Sequence, residues 1–228
     1  MTKCSLFQRY NILEIMTQIR AVLFDLDGTL LDSFGLHYAA YKVMFAEFGI
    51  AMERELFLST YSPNWYRTYE AFGLAEKHWP SANDLWLKAA ENHIADLFPD
   101  VLATLDQLSK EYGLGIVTSG SKSRVLRDMD RLDIHKYFST LVTGDDITEP
   151  KPATQGLLMA LESLSLSPME AVYVGDAYAD FEMSRSAGVP FIGVPSEFAN
   201  LTDDHPEYDI HSIATLPDVI SRRAWEQL

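Results

Sequence analysis

The stretch Ala21-Val-Leu-Phe24-Asp25-Leu26-Asp27-Gly28-Thr29-Leu30 opens with four apolar residues and changes character at Asp25. A short apolar, partly β-branched run reads as a buried strand, and two carboxylates two positions apart follow it directly. Carboxylates that close repel one another unless a cation or a shared proton relieves them. The pair therefore points to a bound metal ion, or to two carboxylates in different roles, one a nucleophile and one a general acid. Gly28 permits a sharp turn immediately afterwards. The plain alternative is an Asp-Gly turn with a capping Asp. Four fixed residues within five positions recur by chance on the order of once per 10⁵ positions, which favours the chemical reading.

Similar runs recur downstream, each ending in small, hydroxyl or acidic residues. Gly113-Leu-Gly-Ile-Val117 precedes Thr118, and Thr140-Leu-Val-Thr143 precedes Gly144-Asp145-Asp146. Ala171-Val-Tyr-Val174 precedes Gly175-Asp176, and Pro190-Phe-Ile-Gly-Val194 precedes Pro195. Helical patterns over 101–111, 123–132, 154–164 and 180–187 separate them. This alternation predicts an α/β fold with a Rossmann-like open parallel sheet, in which ligands bind beyond the carboxyl ends of the strands. Residues 34 to about 98 break the rhythm. They show helical patterns over 37–48, 53–61, 65–72 and 82–97 and no convincing strand, with Gly49 and Gly73 as helix ends. The expected organisation is an α/β core of 16–33 and 99–228, with an inserted α-helical cap domain over 34–98 above the strand ends. Residues 1–15 form an N-terminal extension: Leu6, Tyr10, Leu13 and Met16 suit a short amphipathic helix, and Met16 equally suits a natural start with 1–15 upstream of it.

The chain has 228 residues, with 33 Asp+Glu against 18 Lys+Arg and a net charge of −15. It is long enough to bury a core without staples. The acidic balance argues against a nucleic-acid backbone and against an anionic membrane surface. A single cysteine, Cys4, excludes an internal disulfide and a Cys-rich metal site, so a reducing, cytoplasmic location is expected. No apolar run approaches the roughly 20 residues of a membrane span, and the first residues lack the apolar core of a signal peptide. A monomer or small homo-oligomer is expected.

The decapeptide FDLDGTLLDS at 24–33 resembles the signature of the haloacid dehalogenase superfamily of aspartate-nucleophile enzymes. Three further motifs of that family follow in order. Thr118-Ser119-Gly120 ends a strand, Lys151 precedes Pro152, and Gly175-Asp176 is followed four residues on by Asp180. Each alone has a bland reading: a helix N-cap, a solvated lysine, an Asp at a helix N-terminus. The resemblance covers roughly 19–228, including the position of the insert. It implies that Asp25 attacks phosphorus and that Asp27 protonates the leaving oxygen, then deprotonates the water that cleaves the aspartyl-phosphate. It implies Mg²⁺ held by Asp25, the backbone carbonyl of Asp27 and Asp176, with Asp180 ligating it or orienting its waters. Thr118 and the Ser119 amide bind phosphoryl oxygens, and Lys151 offsets the charge.

Asp27 is intact where the family's dehalogenases and phosphonate hydrolases lack an acid, and Gly175-Asp176 stands where its sugar phosphomutases usually read Glu-Asp. The chain thus resembles the phosphoglycolate-phosphatase-like branch with a helical cap. This implies a Mg²⁺-dependent phosphatase of a small phosphorylated metabolite, phosphoglycolate-like or sugar-phosphate-like. A sugar phosphomutase and a non-catalytic, phosphate-sensing member are the alternatives. Two departures are the missing second Pro after Lys151-Pro152 and Phe34-Gly35 where many relatives carry Pro. Specificity falls to the insert, with His37, Lys42, Arg54, Arg67, Tyr61, Trp65 and Tyr66 as candidates. A helix histidine such as His37 more commonly faces solvent. Arg67 suits a substrate carboxylate or a pair with Glu70, and Trp65, Trp79 and Trp86 read as packing.

Overall fold

The structure is a computed structural model that describes residues 18–61, 64–91, 93–194, 196 and 208–223. Both readings of residues 1–16 lie outside these. In chain order the elements are β1 (Ala21–Phe24), β2 (Leu31–Asp32), α1 (Phe34–Glu47), α2 (Arg54–Thr60), α3 (Trp65–Ala71), α4 (Trp79–Ala90) and β3 (Asp96–Leu97). They continue with α5 (Val101–Leu108), β4 (Gly113–Val117), α6 (Lys122–Arg131), β5 (Thr140–Val142), α7 (Gln155–Leu164), β6 (Ala171–Gly175), α8 (Tyr178–Ala187), β7 (Phe191–Gly193), β8 (Tyr208–Asp209) and α9 (Leu216–Arg222).

Among the described residues six strands form one parallel sheet in the order β5-β4-β1-β6-β7-β8. The central strands are buried on both faces, and their period-two alternation divides each between two cores. Val22, Phe24, Val172 and Val174 point into one apolar cluster, with α5 and α9. Ala21, Leu23, Ala171 and Tyr173 point into the other, with α7 and α8. After β5 the chain returns across the sheet to place β6 on the far side of β1. That reversal opens a crevice at the carboxyl end of β1, where ligands of such sheets bind.

The helical insert has its own apolar centre of Phe34, Tyr41, Met44, Phe45, Phe57, Tyr69, Phe72, Leu74 and Ala82. Helices α1 and α3 end just before Gly49 and Gly73, which are both left-handed. One expectation is corrected here. Helix α4 stops at Ala90, not at residue 97, and Asp96–Leu97 forms β3, paired antiparallel with β2 (Leu31 opposite Leu97, Asp32 opposite Asp96). The insert's second crossing into the core is thus a strand. Two-residue strands carry no readable alternation, which also explains the missed edge strand β8. No helix among the described residues is long and apolar enough to cross a membrane.

Candidate active site

Asp25 continues the β1 ladder by one step, its N–H donating to Val174 O at 2.8 Å, so its side chain emerges where the sheet ends. The chain then folds back: the Leu30 and Leu31 amides both donate to Leu26 O, and the Gly28 amide donates to Leu31 O, each at 2.9 Å. Gly28 makes this turn with φ +82°, and a Cβ there would collide with the Asp176 carboxylate. Gly28→Ala therefore meets both backbone strain and a clash with buried polar atoms. It is expected to cost about 2 kcal/mol or more of stability and most of the activity, checked by chemical denaturation and a rate assay. A wild-type denaturation midpoint would contradict the packing described.

Asp176 follows β6, and its Oδ1 accepts from Thr29 Oγ1 at 3.2 Å while Oδ2 accepts from Ser196 Oγ. Asp180 lies in the first turn of α8, where its Oδ2 accepts from the Ala177 amide at 3.1 Å. Lys151, only 2% exposed, is not a solvated surface charge. Its Nζ donates to Asp25 Oδ1 at 2.7 Å, to Asp180 Oδ1 at 2.8 Å and to Tyr173 Oη at 2.8 Å. Tyr173 Oη in turn donates to Val117 O at 2.9 Å. Tyr173 was invisible as a site residue, because in sequence it is one aromatic residue within an apolar strand.

Burial, opposed by Lys151 and assisted by Asp180, pushes the Asp25 carboxyl up to about 7. Burial followed by the charges of Asp180 and Asp25 pushes the Asp176 carboxyl well above its usual range. For Lys151 burial acts downward, but Asp180 and Asp25 outweigh it and hold the ammonium charged. Carboxylate oxygens of Asp25, Asp176 and Asp180 lie within 4.8 Å of one another, all buried. One ammonium among three carboxylates leaves net negative charge. An all-oxygen donor set with that deficit fits a hard divalent cation such as Mg²⁺. The Asp27 carboxylate is not in this cluster.

Asp27 has partners that the sequence did not predict. Arg124 of α6, 3% exposed, donates from Nη1 to Asp27 Oδ1 at 3.1 Å and from Nη2 to Oδ2. The same Nη1 is 3.3 Å from Asp128 Oδ2. His37 Nε2 lies 3.3 Å from Asp27 Oδ1, so His37 is buried against the site rather than facing solvent. Burial pushes the Asp27 carboxyl up, but Arg124 and then His37 outweigh it and hold it well below the usual carboxylate range.

Thr118 follows β4, its amide bound to Val142 O at 3.0 Å. Its Oγ1 accepts from the Gly120 amide at 3.1 Å, leaving the hydroxyl hydrogen to donate. Thr118 and Ser119 line a cavity of about 300 Å³ together with Asp25, Asp27 and Asp176. The insert closes this cavity with Tyr41, Tyr61, Trp65, Tyr69 and Trp86. Of the insert candidates, His37, Tyr61 and Trp65 line it, and Lys42, Arg54, Arg67 and Tyr66 are not among the described lining residues. The Arg54 guanidinium lies over the Phe34 ring, 4.7 Å from its centroid. Trp65 and Trp86 thus face the cavity as well as packing, whereas Trp79 is held by a 3.0 Å bond from Nε1 to Leu74 O.

The chain is similar to known proteins over most of its length. Residues 22–194 match the haloacid dehalogenase-like hydrolase family. The chain is 29% identical to pyrophosphatase PpaX of Oceanobacillus iheyensis, over 89% of this chain and 97% of that protein. It is 31% identical to phosphoglycolate phosphatase of Escherichia coli, over 77% of this chain and 81% of that one. A crystal structure of a haloacid dehalogenase-like hydrolase from Bacteroides fragilis matches with a TM-score of 0.80 at 26% identity, covering 87% of this chain and 100% of that one. The motif order, the sheet with its carboxylate cluster and the extent of the match together place this chain in the haloacid dehalogenase-like hydrolases.

Proposed function

We propose that the chain is a Mg²⁺-dependent phosphatase that hydrolyses a small phosphorylated metabolite through an aspartyl-phosphate on Asp25. The observation that carries this reading is the cluster itself. Asp25 and Asp176 at the carboxyl ends of adjacent strands and Asp180 in the first turn of α8 are buried together beside the cavity, with the Lys151 ammonium between Asp25 and Asp180. The reading also takes the chain as a core of 16–33 and 99–228 with a cap of 34–98. The cap's separate apolar centre and the β2–β3 pair at its two crossings support that division.

In the first half-reaction a carboxylate oxygen of Asp25 forms a bond to phosphorus as the ester oxygen departs, taking a proton from Asp27. In the second, a water attacks the same phosphorus, Asp27 takes its proton, and the Asp25 carboxylate is released with inorganic phosphate. Arg124 and His37 hold Asp27 in the state needed for the second half. The negative charge of a phosphate entering beside Asp25 raises the Asp27 carboxyl toward the value an acid requires. Thr118 Oγ1 and the Ser119 amide donate to phosphoryl oxygens, and Lys151 keeps Asp25 ionised and aimed. Mg²⁺ on Asp25 and Asp176, with Asp180 near them, would supply charge neutralisation for the phosphoryl oxygens.

Phosphate release from an aryl phosphate in Mg²⁺, and its loss in EDTA, tests the reading. Thermal denaturation gives a second readout. In the metal-free protein the Asp25 carboxyl titrates near 7 when folded and near 3.8 when unfolded. The folded state then binds more protons across that interval, so metal-free stability falls as pH rises through it. Mg²⁺ is expected to offset that fall, adding about 2.7 kcal/mol at a hundred times its Kd and less as pH drops. Full activity in EDTA together with no Mg²⁺ shift would overturn the metal-dependent reading.

A further inference from the structure

Resting on the phosphatase reading, we infer that the cap selects phosphate monoesters whose alcohol is uncharged and carries a ring, and rejects those with a second anionic group. Three features of the cavity carry this. The first is charge. Arg124 is the one Lys or Arg among the described lining residues, and its guanidinium is already shared between Asp27 and Asp128. Lys151 lies below, between Asp25 and Asp180. Asp145 adds another carboxylate to the lining. A carboxylate or second phosphate on the leaving group would be buried here with no cation left to pair it, which is strongly unfavourable.

The second feature is shape. His37, Tyr41, Tyr61, Trp65, Tyr69 and Trp86 build the cap side of the cavity and brace one another. Tyr41 and Trp86 have ring centroids 5.8 Å apart, His37 and Trp86 5.3 Å, and Trp65 and Tyr69 5.1 Å. Such a wall is pre-formed, and it offers π-faces to a sugar or a base. A volume of about 300 Å³ is at the small end for ligand cavities, enough for one ring beside the phosphoryl group. The third feature is an unused set of neutral polar atoms. Trp86 Nε1, Ser119 Oγ and Ser121 Oγ are buried without a hydrogen-bond partner and belong to residues that line the cavity. Buried groups of this kind ordinarily have partners, and ring hydroxyls or a base edge would supply them once these side chains turn toward the cavity.

The test measures kcat/KM in Mg²⁺ for an aryl phosphate, a hexose 6-phosphate, a nucleoside 5′-monophosphate, phosphoglycolate and inorganic pyrophosphate. At least one of the two natural ring esters is expected to exceed both phosphoglycolate and pyrophosphate by about tenfold or more, and the better one tells sugar from nucleoside. Equal or better use of phosphoglycolate or pyrophosphate overturns the inference and leaves the phosphatase reading standing. No phosphate from any of the five overturns both. Asn83→Arg, which adds a cation to the lining, and Trp86→Leu, which removes a ring face, should each shift the ring-ester to phosphoglycolate ratio about tenfold toward phosphoglycolate. An unchanged ratio in both folded variants also overturns the inference.

Discussion

Asp25→Asn is expected to lower kcat on the order of 10⁴-fold or more while leaving the protein folded and at least as stable. The side chain keeps its shape and an acceptor for Lys151, whose Nζ also retains Asp180 and Tyr173. What disappears is one of three negative charges crowded within 4.8 Å, a charge that burial already disfavours. An amide oxygen is a far weaker nucleophile toward a dianionic ester than a carboxylate, so the covalent step is lost while the surroundings stay in place. Two measurements separate chemistry from folding. The rate and the acid-quenched phosphoenzyme should both vanish, and the melting temperature should hold or rise. An undiminished rate would remove Asp25 from the nucleophile's role, and a collapsed melting curve would mean that the cluster is held together by charge in a way the distances do not support.

Asp25, Thr118, Lys151, Asp176 and Asp180 were legible in sequence through the resemblance of four ordered motifs, with Asp25, Thr118 and Asp176 directly after strands, Lys151 in a loop and Asp180 in the first turn of α8. A strand end fixes where a side chain emerges, and neighbouring strands bring separated positions together. The long helices were legible through their apolar spacing, which is sustained over several turns. Helix α4 was overextended because Ile94 and Leu97 continue its spacing after the helix itself has ended at Ala90. His37 stood in the sequence as a site candidate and also as a solvent-facing helix residue, with nothing local to choose between them. Its helix buries a broad face, so the choice between solvent and site depends on how the insert sits over β1 and not on local pattern. Tyr173 could not be found, since the hydroxyl beneath the cluster matters only once Lys151 is folded inward. Arg124 did leave a trace. It lies on the face of α6 that carries Val125 and Met129, with Asp128 four residues on, and a charged pair on a buried helix face asks for a partner elsewhere.

That trace leads to the second large effect. Arg124→Met should destabilise the protein by about 3–5 kcal/mol, the usual result of removing one partner from a buried ion pair. For a chain of this length that is a fall of roughly 10 °C in melting temperature. Asp128 keeps Arg127, at 3.1 Å from its Oδ1, and Asp27 keeps only His37. With the guanidinium gone, burial becomes the dominant influence on Asp27 and its carboxyl rises. As the base for aspartyl-phosphate hydrolysis Asp27 must be ionised, so the acidic limb of kcat should move to higher pH. As the acid for the first half-reaction it loses nothing, so phosphoenzyme should accumulate and KM fall along with kcat. Arg124→Lys should fall between the two, since an ammonium cannot span both oxygens of Asp27. Asp128→Asn added to Arg124→Met should recover part of the stability and none of the pH shift, because only Asp27 faces the cavity. A merely structural arginine would give the stability loss with an unmoved pH profile, and that result would separate Arg124 from the chemistry.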